Sequence, residues 1–156
     1  MNYREYKKQR QDEFDNLPIF FAFGREQFKK AMEERGLTEN DVDKIYQLGS
    51  GFGGYYLKKD ARVILDFYNK PDKLPELMKD HDFAVGAFYD ELWNHEYEYN
   101  VYQGDWDVCS CFGSCEYGSS KDYRDYLKEL GYPKECAKWY AEAKKKYYKV
   151  LDERGF

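Results

Sequence analysis

The sequence predicts an α+β fold: a mainly helical single domain over residues 1–156 with one small β-hairpin or sheet. Three observations predict it. Apolar residues recur at three-to-four spacing over most of the chain, one stretch alternates around a glycine-rich loop, and the Pro residues stand at segment boundaries. Tyr3, Tyr6, Arg10, Phe14 and Leu17 follow the helical period, so residues 3–15 are expected to form an amphipathic helix that Pro18 ends. Ile19-Phe20-Phe21-Ala22-Phe23 is a short aromatic run between Pro18 and Gly24, which suits a buried strand. Residues 25–35 are expected to be helical, with Phe28 and Met32 on one face and Gly36 as the stop.

Thr38 with Asp41 resembles a short helix start. Lys44-Ile45-Tyr46-Gln47-Leu48 and Tyr55-Tyr56-Leu57-Lys58-Lys59 flank a glycine loop and predict a hairpin. Asp60 can cap a helix to about Tyr68, with Val63, Ile64 and Phe67 inward. Pro71 and Pro75 bracket a break. Residues 82–99 are expected to form one helix with a stripe of Val85, Phe88, Leu92, His95 and Tyr99. A short helix from Gly104 to Phe112 follows, then one capped by Ser119 or Ser120 that ends at Gly131. The last helix starts at Pro133 and buries Cys136, Trp139, Tyr140, Ala143, Tyr147 and Leu151. No internal repeat or linker-like tract interrupts this order.

Composition places the chain close to a boundary. Leu, Ile, Val and Phe number 31 of 156 residues, about the level below which charged chains tend to be disordered. Seventeen Tyr and three Trp move it back toward a folded domain, because each ring buries apolar area and keeps a polar tip. No run approaches a membrane span. The charged start, Met1-Asn2-Tyr3-Arg4-Glu5-Tyr6-Lys7-Lys8, predicts no signal peptide, hence a cytoplasmic protein whose four Cys are thiols.

The net charge of −5 is segregated. Residues 1–79 carry 15 Lys/Arg and 14 Asp/Glu, and residues 121–156 carry 10 and 7. Between them stand nine acids and no Lys or Arg: Asp80, Asp82, Asp90, Glu91, Glu96, Glu98, Asp105, Asp107 and Glu116. These acids are interleaved with Tyr89, Trp93, Tyr97, Tyr102 and Trp106, residue types that anchor interfaces. A carboxylate array with aromatic anchors can occupy a basic groove that normally holds phosphates. Direct nucleic-acid binding by this window is disfavoured, since phosphate contacts need Lys or Arg.

Other motifs are weaker. Gly49, Gly51 and Gly54 match G-x-G-x-x-G, but a strand follows where a dinucleotide site needs a helix N-terminus, so the glycines are expected to serve a hairpin loop. Cys109, Cys111 and Cys115, with His95 or Cys136 as a fourth donor, raise a zinc site; their spacing also suits core thiols on a short helix. His95-Glu96 begins the zinc-protease pattern, but Tyr99 stands where the second His is required. Glu91 and His95 share a helix face, as a carboxylate–imidazole pair would.

The strings Leu17-Pro18-Ile19-Phe20-Phe21-Ala22-Phe23, Glu26-Gln27-Phe28, the Lys44-to-Leu57 hairpin and Glu91-Leu92-Trp93-Asn94-His95-Glu96-Tyr97, taken together, resemble a family of small uncharacterised proteins. Phages, prophages and conjugative elements of Gram-positive gut bacteria carry that family, and the likeness covers roughly residues 1–108. The resemblance implies a mobile-element setting, in which small acidic proteins antagonise host defence, and it favours core thiols over a family-wide cysteine metal site.

The resulting expectation is a non-enzymatic, anti-CRISPR-like inhibitor of host defence, without a cofactor or metal. Its partner would be a Cas nuclease or another nucleic-acid-binding effector, not a membrane. The expected contact residues are Asp80, Asp82, Asp90, Glu91, Trp93, Glu96, Tyr97, Glu98, Asp105 and Asp107. The alternatives are a binder of a small nucleotide signal, through Tyr/Trp stacking and the glycine loop, and a zinc-binding module.

Overall fold

The computed structural model describes residues 1–49, 51–99, 103–114 and 122–155. In chain order the elements are α1 (Tyr3–Asp15), β1 (Ile19–Phe21), α2 (Arg25–Glu34), β2 (Ile45–Leu48), β3 (Gly54–Leu57), α3 (Ala61–Asn69), α4 (Leu74–Leu77), α5 (His81–Asn94), α6 (Gly104–Ser110), α7 (Tyr123–Glu129) and α8 (Glu135–Glu153), with short 3-10 turns at Val42–Lys44, Lys58–Asp60 and Tyr97–Tyr99. The fold is mainly helical α+β with one small antiparallel sheet. The chain divides into two compact units, Met1–Gln9 with Asp72–Phe156, and Arg10–Pro71.

The second unit is built on the sheet, in the order β1-β3-β2 with both pairings antiparallel. Phe20 faces Tyr55 across the β1–β3 pair, their rings 5.7 Å apart. Phe20, Ala31, Met32 and Ile45 form a small core there. The run at 19–23 is not a fully buried strand. As an edge strand it alternates, so Phe20 and Ala22 are buried while Phe21 and Phe23 are exposed. In α3, Ile64 is buried but Val63 faces solvent, and the Asp60 side chain makes no cap bond. Asp41 closes the expected turn before β2 by accepting from Thr38 N at 2.7 Å.

The first unit is an aromatic helical core. Cys136, Tyr140, Ala143, Tyr147 and Leu151 of α8 are buried along one face, as their spacing predicts, while Trp139 is only half-buried. Burial of a large side chain stabilises by about 1.5–3 kcal/mol, so this face is a principal source of the unit's stability.

The helix expected over 82–99 is shorter and turned. α5 starts at His81, capped by Asp80, whose carboxylate accepts from Phe83 N at 2.9 Å. It stops at Asn94, because the chain reverses at Glu96, which has φ +47°. Its buried face is Phe83, Ala84, Ala87, Phe88, Glu91 and Leu92; Val85 and His95 lie at the margin, and Tyr99 is 73% exposed. The two alanines let α8 approach closely. The expected caps Ser119 and Ser120 lie outside the described residues; Asp122 caps α7, accepting from Arg124 N at 2.8 Å and Asp125 N at 3.3 Å.

Tyr97 lies against the first residue of α6. A Cβ added at Gly104 would stand 2.5 Å from Cδ2 of the Tyr97 ring, so only glycine admits this packing. Gly104→Ala should therefore cost about 1–3 kcal/mol, the usual range for overpacking, measured as a lowered urea midpoint. Unchanged stability would mean that Tyr97 is not held there.

Candidate functional site

Glu91 sits on the core face of α5, its side chain 4% exposed. Oε1 accepts from the Tyr3 hydroxyl at 2.8 Å, from Lys7 Nζ at 2.9 Å and from Asn94 Nδ2 at 3.3 Å. Oε2 faces the Cys111 thiol at 3.3 Å and His95 Nε2 at 3.4 Å. His95 Nε2 is in turn 3.2 Å from Cys111 Sγ. The local folding is simple: α5 places Glu91 and His95 one turn apart, and α6 ends so that Cys111 follows its last residue.

Burial alone would raise the Glu91 pKa, but the bonds donated by Lys7, Tyr3 and Cys111 outweigh it and hold the carboxyl below its usual value. Burial, then the Glu91 charge, pushes the Cys111 thiol up to about 12. Burial and Glu91 likewise raise the Tyr3 phenol well above its ordinary value. The centre therefore holds one carboxylate and two protonated donors.

Asp105 forms a second internal centre. It accepts from Tyr140 at 2.6 Å, from Tyr97 at 3.0 Å and from Lys144 at 3.2 Å. Burial, reinforced by Asp105, raises both phenols. Asp90 is gripped by the Arg4 guanidinium through two bonds, at 2.9 and 3.1 Å.

The ten expected contact residues therefore do not form one exposed array. Glu91 and Tyr97 are buried, Asp105 and Asp90 are bonded to Lys144 and Arg4, and Asp80 is a helix cap. Each anion is cheaper to keep with an internal donor than to leave desolvated and unpaired. Trp93 packs its ring on Tyr147 at 4.5 Å with the Arg154 guanidinium over it at 4.7 Å. Asp82, 96% exposed, and Glu96 do face solvent; Glu98 and Asp107 are half-buried, and Glu98 Oε2 is buried with no hydrogen-bond partner among the described residues. Glu116 and Tyr102 lie outside the described residues.

Sequence reasoning missed a cleft of about 490 Å³ beside Glu91. Arg4, Lys7 and Arg154 supply cations, Tyr89 and Trp93 supply rings, and Asn94 adds an amide, with Asp90 as the countercharge. Its cations come from the two ends of the chain, so no local string marks it. The one available signal was the neutral-to-basic balance of both flanks.

Of the cysteines weighed as an alternative zinc site, the described ones do not converge. Cys109 and Cys136 are fully buried among core side chains, whereas Cys111 turns toward His95 and Glu91. Cys115 lies outside the described residues. Neither Cys109, Cys111 nor Cys136 is in a disulfide. The glycine loop turns β2 into β3 with positive φ at Gly49, Gly51 and Gly53, and a strand follows it; Ser50 lies outside the described residues.

Fold and site together define a small helical α+β protein organised around a buried, ion-paired Glu91 and a half-buried, ion-paired Asp105. A family model matches residues 2–107, and the chain belongs to that family, DUF7659, a family of unknown function. The match includes Tyr3, Arg4, Lys7, Asp90, Glu91 and His95; Cys111, Lys144 and Arg154 lie beyond it. No curated protein and no solved structure matches the chain. No described helix is long and apolar enough to cross a membrane.

A carboxyl held below its ordinary value supports the fold above that value, and the support is lost as pH falls through it. Glu91→Gln should lower stability at pH 7 by about 1–3 kcal/mol, because Lys7 and Tyr3 lose an anionic acceptor. It should also flatten the loss of stability that the native protein shows on acidification below about pH 4.5. Urea melts across pH 3–7 read both effects; parallel curves for the two proteins would show that Glu91 carries no net support.

Proposed function

We propose that the protein is a non-enzymatic binder of a small, anionic, ring-bearing ligand of the nucleotide class, held in the cleft beside Glu91. The observation that carries this reading is the cleft's lining. In a chain of net charge −5, it gathers Arg4, Lys7 and Arg154 around Tyr89 and Trp93; Arg4 is paired with Asp90 and Lys7 with Glu91, and Arg154 lies on the Trp93 ring rather than on a carboxylate. A guanidinium pairs with phosphate oxygens in a fixed fork, which Arg154 can present, and the Tyr89 and Trp93 rings line the cleft beside it. Its volume falls in the range of small-ligand sites. The likeness to proteins of phages, prophages and conjugative elements supplies the setting: a cytoplasmic protein that withdraws a nucleotide signal from host defence.

Calorimetry of the purified chain against cyclic dinucleotides, nucleoside triphosphates and inorganic phosphate tests this. One nucleotide per chain is expected, with affinity falling at least about tenfold in Arg4→Gln and Arg154→Gln, a loss of about 1.4 kcal/mol each. Absence of heat with every ligand, or equal binding by both variants, would sink the reading.

A second reading, direct inhibition of a Cas nuclease or another nucleic-acid-binding effector, is favoured by the turn after α5. Glu96 is exposed and holds a left-handed conformation that L residues adopt at a cost, and the exposed Tyr99 stands beside it. The exposed acids left for it are Asp82, in the first turn of α5, and Glu96 beside Tyr99 past the other end, since Glu91 and Asp105 are spent internally. Asp82→Lys with Glu96→Lys should abolish inhibition of the effector's cleavage without changing the melting curve; full inhibition by that double variant removes this reading.

A further inference from the structure

We propose that Glu91, His95 and Cys111 form a binding site for one zinc-type divalent transition-metal ion. The three donor atoms lie within 4.8 Å of one another, one each from a carboxylate, an imidazole and a thiol. Zinc bonds of about 2.0–2.3 Å at tetrahedral angles put neighbouring donors about 3.3–3.6 Å apart. The separations are 3.3 Å for Cys111 Sγ to Glu91 Oε2, 3.4 Å for His95 Nε2 to Glu91 Oε2 and 3.2 Å for His95 Nε2 to Cys111 Sγ. Three edges of a coordination tetrahedron are thus present with little rearrangement needed.

The carboxylate is divided in the way a metal ligand requires. Tyr3, Lys7 and Asn94 all bond to Oε1, which fixes the group and leaves Oε2 directed at the other two donors. Such outer partners orient ligands in metal sites. The position also suits a cation, because His95 caps the carboxyl end of α5, where unsatisfied carbonyls carry partial negative charge. Nitrogen, sulfur and oxygen donors together suit zinc or cobalt and disfavour magnesium or calcium, which take oxygen. On binding, the Cys111 sulfur–metal bond forms as its thiol proton passes to solvent. Three protein donors leave one coordination position that no other described His, Cys, Asp or Glu fills. This site differs from the Cys109-Cys111-Cys115 arrangement suggested by the sequence, since Cys109 packs in the core. Its donors are distinct from the residues tested for the cleft ligand, Arg4 and Arg154, although Lys7 and Asn94 line the cleft and also bond to Oε1.

The reduced, metal-free chain titrated with Co²⁺ and then Zn²⁺ provides the test. One ion per chain is expected, with a thiolate-to-cobalt charge-transfer band and the visible bands of a four-coordinate ion, both displaced by zinc. Cys111→Ser should remove the charge-transfer band, and His95→Asn should weaken binding at least about tenfold, with circular dichroism unchanged in both. Cys115→Ser should keep the band. Absence of any band, or a band that persists in Cys111→Ser, overturns the proposal. A band that survives His95→Asn at full affinity but disappears in Cys115→Ser overturns it in favour of a cysteine cluster.

Discussion

A carboxylate on the buried face of α5 sets the terms for the first unit. An ionised, unpaired Glu91 in that position would cost more than a small domain can spare, since its whole stability is about 5–15 kcal/mol. The charge is kept because α1 brings Lys7 and Tyr3 to Oε1, while Cys111, just past α6, faces Oε2. Lys7 remains half-exposed and retains part of its hydration, so the pair forms without the full desolvation of two buried ions. The first turns of α1, the middle of α5 and the end of α6 are thereby held to one another by a polar centre inside an otherwise apolar core. Hydrophobic contact alone would tolerate small rotations of these helices. Directed bonds to one carboxylate do not.

Asp105 repeats the same solution one helix later. Two buried phenols and the Lys144 ammonium converge on a single carboxylate oxygen, and the Lys144 ammonium also lies over the rings of Tyr97, Tyr123 and Tyr140. Tyr serves both needs at once, since its ring fills the core and its hydroxyl satisfies the acid. This explains the composition: a chain poor in Leu, Ile and Val builds its core from residues that can also neutralise buried anions.

The features legible in sequence were those carried by large side chains in strict period. The α8 stripe from Cys136 to Leu151 is of that kind, and so is the hairpin around its glycine loop. The stripe expected on α5 is buried at Phe88 and Leu92 but follows one margin of the core face, because that face also contains Ala84, Ala87 and Glu91, which do not read as core. The helix's end at Asn94 depends on a backbone reversal at Glu96, a residue type with no marked preference for positive φ. The candidate site was half legible. Glu91 and His95 share a face by spacing alone, but nothing in the spacing shows that Cys111, rather than Cys109, turns toward them. The partners from α1 and α8 are invisible to any local reading, because each is more than 35 residues from the acid it serves.

That separation also changes the electrostatic reading of the acidic window. Counted along the chain, residues 80–120 hold nine acids and no base. In space, Arg4 caps Asp90, Lys7 meets Glu91 and Lys144 meets Asp105. Lys146 and Arg154 stand over the rings of Tyr89 and Trp93, at 4.5 and 4.7 Å. A ring face attracts a cation without consuming its charge, whereas a carboxylate neutralises it. Arg154, which follows the last residue of α8, lies on a ring rather than on an acid, and it lines the cleft together with Arg4 and Lys7, whose charges Asp90 and Glu91 offset. The aromatic residues interleaved with the acids thus hold cations in place, and the cleft set among them draws its cations from the two ends of the chain.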